Sequence, residues 1–364
     1  MTPARRPDSR APNPADCQDG RETARQCVID FLHNRTIAPQ IRSGARSSRR
    51  RAPPSGHRVR HDRPHPIMRR DAVRSGLTED EIRRALRTGA LERLDAGVHL
   101  PREIAADLDD AGRRLVRVRA AAAKLGPEAV MSHTSAAVVH GFALWRPDLT
   151  LVHVSRNRPS GGRRTSQLHG HATPFAPSDV EIVDGIRVTS AARTIVDTAR
   201  CLDADRAVVL GGSALRLRPA AHAALPAALT AADTRTGIAA ARRMCAFLDG
   251  RSESPGESIS RLRIRAAGLP GPVLQFEIWT AGGAFVARTD FFREEFGVVG
   301  EFDGMGKYRS ADPGASAETV RREKLREDAI RAQGYEVVRW TWSELFHFDD
   351  VRARIDAATR RRWR

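Results

Sequence analysis

The sequence predicts an α/β multidomain chain, and three observations carry that expectation. Its 364 residues suffice for two or three domains at roughly 150 residues each. The apolar pattern switches repeatedly between short capped helical stripes and alternating strand runs. The last third reads helix, three strands, helix, strand, an αβββαβ order.

Residues 1–66 are rich in Arg, Pro and Ser and lack hydrophobic periodicity. They hold 14 Arg against 6 Asp and Glu, which is +8 of the formal net charge of +17. Arg49-Arg50-Arg51 ahead of Pro53-Pro54 reads as a disordered basic tail, with one short apolar cluster from Cys27 to Leu32. Two readings stay open: a translated tail that adds non-specific DNA affinity, or a chain that starts at Met68.

Residues 67–105 form the first compact module. A helix from Met68 to Ser75 closes at Gly76. Thr78 then caps a second helix, and Glu81 completes a capping box. Ile82, Ala85 and Leu86 make its apolar stripe, and Gly89 stops it. Leu91 to Leu100 alternates around Asp95-Ala96-Gly97, as a hairpin wing does. Two helices, a tight turn and a wing match a winged helix-turn-helix. Its candidate DNA contacts are Arg83, Arg84 and Arg87 on the second helix and Arg93 on the wing.

Residues 106–205 read as an α/β middle domain. Helices are expected at 115–125, at 133–140 before Gly141, and at 191–200 after the cap Thr189-Ser190; strands are expected at 149–154 and around 183–188. His133 and His140 lie seven apart and read as a cap-side and a packed histidine rather than ligands. Residues 206–252 are Ala-rich and read as a helical linker interrupted by Pro219 and Pro226.

Residues 253–350 carry the αβββαβ module, and residues 351–364 read as a basic C-terminal tail. The second and third strands flank a polar turn, as a hairpin does, and bring acidic residues to one end. Glu301 and Asp303 share a strand face, and Asp290 comes alongside them. Carboxylates gathered on an apolar strand repel one another and lose hydration, so they call for a cation or a basic partner. Mg²⁺, or Mn²⁺, suits such oxygen ligands and can activate water against a phosphodiester.

The composition excludes other classes. A pI near 11.2 makes an anionic polymer the leading partner, although the Arg and Ala excess also fits a GC-rich genome. Cys17, Cys27, Cys201 and Cys245 show no C-x-x-C spacing, so neither a disulfide framework nor a zinc site is suggested by cysteine. No apolar run of about 18 residues and no secretory signal pattern occurs, which makes the cytoplasm the expected location and a membrane an unexpected partner. Phosphate-cradling G-x-x-x-x-G-K-[ST] loops and G-x-S-x-G elbows are missing.

Two resemblances sharpen this reading. Val298-Val299-Gly300-Glu301-Phe302-Asp303-Gly304, the charged helix after it, and Gly334-Tyr335-Glu336-Val337-Val338-Arg339-Trp340 resemble a domain of unknown function related to very-short-patch-repair (Vsr) endonucleases, within the PD-(D/E)XK nuclease fold. Leu77 to Leu100 resembles the winged helix of AbiEi-type abortive-infection antitoxins. Ser132-His133-Thr134-Ser135 and the run from Val183 to Thr194 resemble the middle region of similar proteins.

The nuclease resemblance implies a restriction-endonuclease-like core. Asp290 and Glu301 would be its metal-binding acidic pair, with Asp303 as a further ligand and Glu257 in support. The pattern departs where Asp303 stands in place of the nuclease lysine, so Lys307 or Lys324 would have to supply the positive charge at phosphate. The expected function is a metal-dependent DNA endonuclease with an appended winged helix. The alternative is a non-catalytic DNA-binding regulator, or a type IV antitoxin with a cognate toxin, that carries a degenerate nuclease fold. An arginine or lysine seated on the acidic cluster favours the second.

Overall fold

A computed structural model describes residues 65–126, 128–148, 150–304 and 313–362. Most of the basic tail, Cys17, Cys27 and Lys307 therefore lie outside the described residues. The protein is a mixed α/β chain, with three sheets among the described residues. It divides into two compact units, residues 1–125 and 126–364.

The first unit begins with β1 (Ile67–Met68), α1 (Arg69–Arg74) and α2 (Glu79–Thr88). Thr78 Oγ1 accepts from Glu81 N at 3.2 Å, and Glu81 Oε2 accepts from Thr78 N at 2.7 Å, so the expected capping box closes. Gly89 ends α2 in the left-handed conformation, φ 75°, which costs a glycine nothing. β2 (Leu91–Asp95) and β3 (Val98–Pro101) form an antiparallel hairpin, and β1 adds to β3 in the order β1-β3-β2. Ile67, Ala72, Ile82, Ala85 and Leu91 fill the small core between these helices and the sheet. α3 (Arg102–Asp107) and α4 (Asp110–Leu125) complete the unit. α4 begins five residues before the expected start, inside the charged stretch Asp110 to Arg114.

The second unit holds a six-stranded and a four-stranded sheet. The first is built from β4 (Val130–Met131), β5 (Val152–Arg156), β6 (Arg163–Arg164), β7 (Leu168–Ala172), β8 (Val180–Val183) and β9 (Ile186–Thr189), in the order β6-β7-β5-β4-β9-β8. α5 (His133–His140) and α6 (Ala191–Ala199) follow β4 and β9. β4, β6 and β7 have no counterpart in the sequence reading. β4 and β6 are two residues each, and β7 is Leu-His-Gly-His-Ala, too polar and glycine-bearing to signal a strand.

The segment expected as a helical linker is three helices, α7 (Ala204–Leu217), α8 (Ala221–Ala231) and α9 (Ile238–Phe247), and Pro226 lies inside α8 rather than interrupting it. Val208, Val209, Leu210, Ala214, Leu225 and Ala228 are buried in one core with residues of the αβββαβ segment. An alanine-rich helix has a weak stripe, so its burial is not legible from periodicity.

The last segment runs α10 (Pro255–Ala266), β10 (Val273–Trp279), β11 (Phe285–Arg293), β12 (Val298–Asp303), α11 (Pro313–Ala332) and β13 (Glu336–Thr341). The sheet order is β10-β11-β12-β13, with antiparallel pairs except for β12 and β13, which are parallel. Ile259, Phe291, Val298 and Trp340 join the main core, while Ile278, Phe292, Val299, Ile330 and Val337 form a second cluster. The expected C-terminal tail is helical, as α12 (Phe348–Arg362), and buries Val351 and Ala358 against the main core. Among the described residues, no helix is long and apolar enough to cross a membrane.

Candidate functional site

Asp290 and Glu257 lie near one another beside Gln275, where the β10–β11 ladder skips a pair. Leu274 pairs with Phe291 and Phe276 with Thr289, while Gln275 between them has φ 54°. The apolar faces change there. Leu274 and Phe291 join the core that holds α10, but Phe276 and Ala287 join the cluster that holds Ile330 of α11. Such an irregularity turns a side chain out of the regular alternation. Gln275 Nε2 donates to Glu257 Oε2 at 3.0 Å. Asp290, one residue before Phe291, accepts from Phe302 N at 2.9 Å.

Glu257 lies in the first turn of α10, where Ser254 caps the helix and Glu257 Oε2 also accepts from Glu253 N at 2.8 Å. Gly256 beside it has no room for a side chain, because a Cβ would sit 1.9 Å from the Phe302 ring. This contact draws the start of α10 onto β12. Burial first, and then the neighbouring Glu257 charge, push the Asp290 carboxyl up to about 7.

Glu301 has a different environment. Its carboxylate is nearly buried, with Arg326 Nη2 at 2.7 Å from Oε1 and Arg339 Nη2 at 2.9 Å from Oε2. Arg339 is the register partner of Glu301 across the parallel β12–β13 pair, and it also meets Glu327 at 3.1 Å. Asp303 stands two residues on, and its buried Oδ1 has no hydrogen-bond partner among the described residues. Among the described residues, Asp290, Glu301 and Asp303 do not gather as a group that could hold a metal. Instead of a third carboxylate, two guanidinium groups lie at ion-pair distance from Glu301. Lys324 is exposed on α11.

The basic candidates of the first unit are all exposed. Arg83 is paired with Asp80 at 2.8 Å, whereas Arg84, Arg87 and Arg93 have no ion pair among the described residues.

A second constellation escaped the sequence reading. β5 and β7 run parallel with His153 opposite His169 and Ser155 opposite His171, so the alternation of strands puts His153, His169 and His171 on one face. His133, in the first turn of α5, closes over them. One ring nitrogen from each of His133, His153 and His171 lies within 4.8 Å of the others. His153 Nδ1 and His171 Nε2 are 3.0 Å apart, and the His133 and His171 rings stack at 4.0 Å. Burial, first among the causes, holds all three rings well below the usual imidazole range, His153 at about 4 and His171 at about 2. They are neutral near pH 7, with a lone pair on each. His133, His153 and His169 line a cavity of about 220 Å³ together with Asp148, Arg164 and Arg206. His-Gly-His on β7 was the available signal, since that spacing on a strand aligns two rings. His140, by contrast, is the packed histidine expected, with Nε2 at 2.8 Å from Thr189 O and its ring on Phe142.

No family model matches the chain. Two Mycobacterium tuberculosis proteins do: uncharacterized protein Rv2248 of strain ATCC 25618 / H37Rv and uncharacterized protein MT2308 of strain CDC 1551 / Oshkosh. Each is 30% identical over 266 residues, which is 72% of this chain and 89% of the relative. The chain belongs to their family. The match extends over nearly the full length of both relatives.

Proposed function

We propose that the protein is a DNA-binding regulator of the repressor or antitoxin class, whose C-terminal segment keeps a nuclease-like framework without an open metal site. The observation that carries this reading is the seating of Arg326 and Arg339 on the two oxygens of Glu301. A nuclease of the PD-(D/E)XK kind needs that carboxylate for its cation. Here two guanidinium groups already stand at ion-pair distance from it, and they are themselves tied to Glu327 and to the Arg288 carbonyl.

The framework supports both halves of the proposal. The order α10-β10-β11-β12-α11-β13, with only the last strand parallel, agrees with the αβββαβ core that the Vsr-like resemblance implies. The β1-β3-β2 sheet with α1 and α2 agrees with a winged helix. It leaves Arg84 and Arg87 exposed on the second helix, without an ion pair among the described residues. DNA is the proposed partner, and by analogy with AbiEi-type proteins a cognate toxin is a second.

One observation favours the endonuclease reading instead. Asp290 is pushed up to about 7 beside Glu257, a stress that a divalent ion such as Mg²⁺ would relieve. The residues as arranged do not fit that ion, because Glu301 would first have to give up its arginines.

One experiment decides between the two readings. Purified full-length protein, Glu301→Gln and the double variant Arg84→Ala/Arg87→Ala are compared on DNA from upstream of the gene and on supercoiled and mismatched DNA, with Mg²⁺ or Mn²⁺. The regulator binds, loses roughly tenfold in affinity in the double variant, and nicks nothing. Metal-dependent nicking by wild type and not by Glu301→Gln sinks this reading and establishes the endonuclease.

A further inference from the structure

We infer that His133, His153 and His171 form a binding site for one divalent transition metal of the zinc class, with one coordination position left to the cavity beside β5 and β7. Three imidazole nitrogens are already gathered within 4.8 Å, and one pair is 3.0 Å apart. A tetrahedral zinc with bonds of about 2.0–2.1 Å to nitrogen separates its ligands by roughly 3.3 Å. Small ring movements bring the three nitrogens to that spacing. An all-imidazole donor set suits zinc, cobalt, nickel or copper and not magnesium, which prefers oxygen.

The surroundings argue for a built site rather than a packed core. His133 adopts φ 51°, a left-handed conformation that costs a residue with a side chain free energy and persists where the surrounding structure imposes it. Two hydrogen bonds at the start of α5 hold it against β5: Ser132 N to His153 O at 3.1 Å and His153 N to Ser135 Oγ at 2.8 Å. His133 Nδ1 lies 3.1 Å from Ser132 Oγ, the kind of partner that fixes the ring and leaves its other nitrogen for a metal. Apolar side chains of similar volume would fill the space without burying three imidazoles whose ring nitrogens find only Ser132 Oγ and one another as partners. His133 and His153 also face the cavity, so the site has an entry path. Three protein ligands with a fourth position open to solvent is the pattern of a reactive zinc site rather than a closed structural one.

The test uses the untagged full-length protein, stripped with a chelator and titrated with Zn²⁺ and with Co²⁺. Elemental analysis of the dialysed wild type is expected to give one zinc per chain. The cobalt form is expected to show the intense visible absorption of a four-coordinate ion. His153→Ala and His171→Ala lose both signals, while His169→Ala, on the same face but outside the group of three, keeps them. Circular dichroism verifies that each variant is folded. If wild type holds no cobalt in the four-coordinate form, the inference fails without reference to any variant. It also fails if folded His153→Ala and His171→Ala bind as much metal as wild type, since other histidines are then the ligands.

Discussion

At Asp290 the fold holds a carboxyl where its charge is costly, and the cost has a pH signature. Its folded value of about 7 lies above the ordinary 3.8. The folded chain therefore binds one more proton than the unfolded chain between those values. Stability from this group falls as pH rises through about 4 to 7, and the penalty is complete above 7. Asp290→Asn removes the penalty while its carbonyl still accepts from Phe302 N. Thermal unfolding at pH 8 without divalent ions is expected to show the variant more stable by on the order of 2–4 kcal/mol. The difference should vanish near pH 4. If wild type and variant differ equally at both pH values, the raised carboxyl is not the cause. The acid itself was legible in the sequence, because alternation fixes which residues share a strand face. Its kink was not, because the Gln275 conformation arises from the pairing of two strands and has no local residue signal.

Elements show the same division between what is local and what is not. The capping box of α2, the turn of the β2–β3 hairpin and the cap of α6 are each written in a few adjacent residues, and each forms as read. The run Ser190 to Arg200 also carries something that caps do not reveal. Arg193 and Asp197 are both almost wholly buried on α6, with Arg193 Nε at 2.8 Å from Asp197 Oδ2. Arg193 also reaches Asp179 at 3.3 Å and Thr173 at 3.1 Å, and Arg200 reaches the other oxygen of Asp197 at 3.2 Å. The network ties α6 to the loops around β7 and β8. An i, i+4 Arg–Asp pair in a sequence usually marks a solvated helix face, so only the sheet around it makes the pair structural. Breaking a buried pair leaves an uncompensated charge, at a cost of about 3–5 kcal/mol. Asp197→Asn is expected to lower stability by that order in chemical denaturation. Arg242→Ala, which opens the exposed pair with Asp233, should change it little. Equal effects of the two would show that the buried network does not anchor α6.

On the scale of the molecule, net charge and its distribution make different claims. A charge of +17 favours any polyanion, but a diffuse field and a docked helix respond differently to salt. Every phosphate left without its arginine lowers the slope of log affinity against log salt by about 0.9. Arg84 and Arg87 project from α2 without acidic partners among the described residues, so both charges are available to phosphate. Arg83 spends part of its charge on Asp80, 2.8 Å away. Removing Arg84 and Arg87 together is therefore expected to lower the slope by nearly 2. Removing Arg83 alone should lower it by less than a single fully engaged arginine does. Glu301→Gln, in the other compact unit, should leave the slope unchanged. Fluorescence anisotropy with a short duplex, titrated across a salt series, measures all four proteins. If the Arg84/Arg87 variant binds more weakly at every salt concentration but keeps the wild-type slope, those arginines do not meet phosphate, and the basic tail or another face carries the binding. If the slope falls as expected, α2 is the docked element, and the winged-helix reading then rests on a measured phosphate interaction as well as on the order of its strands.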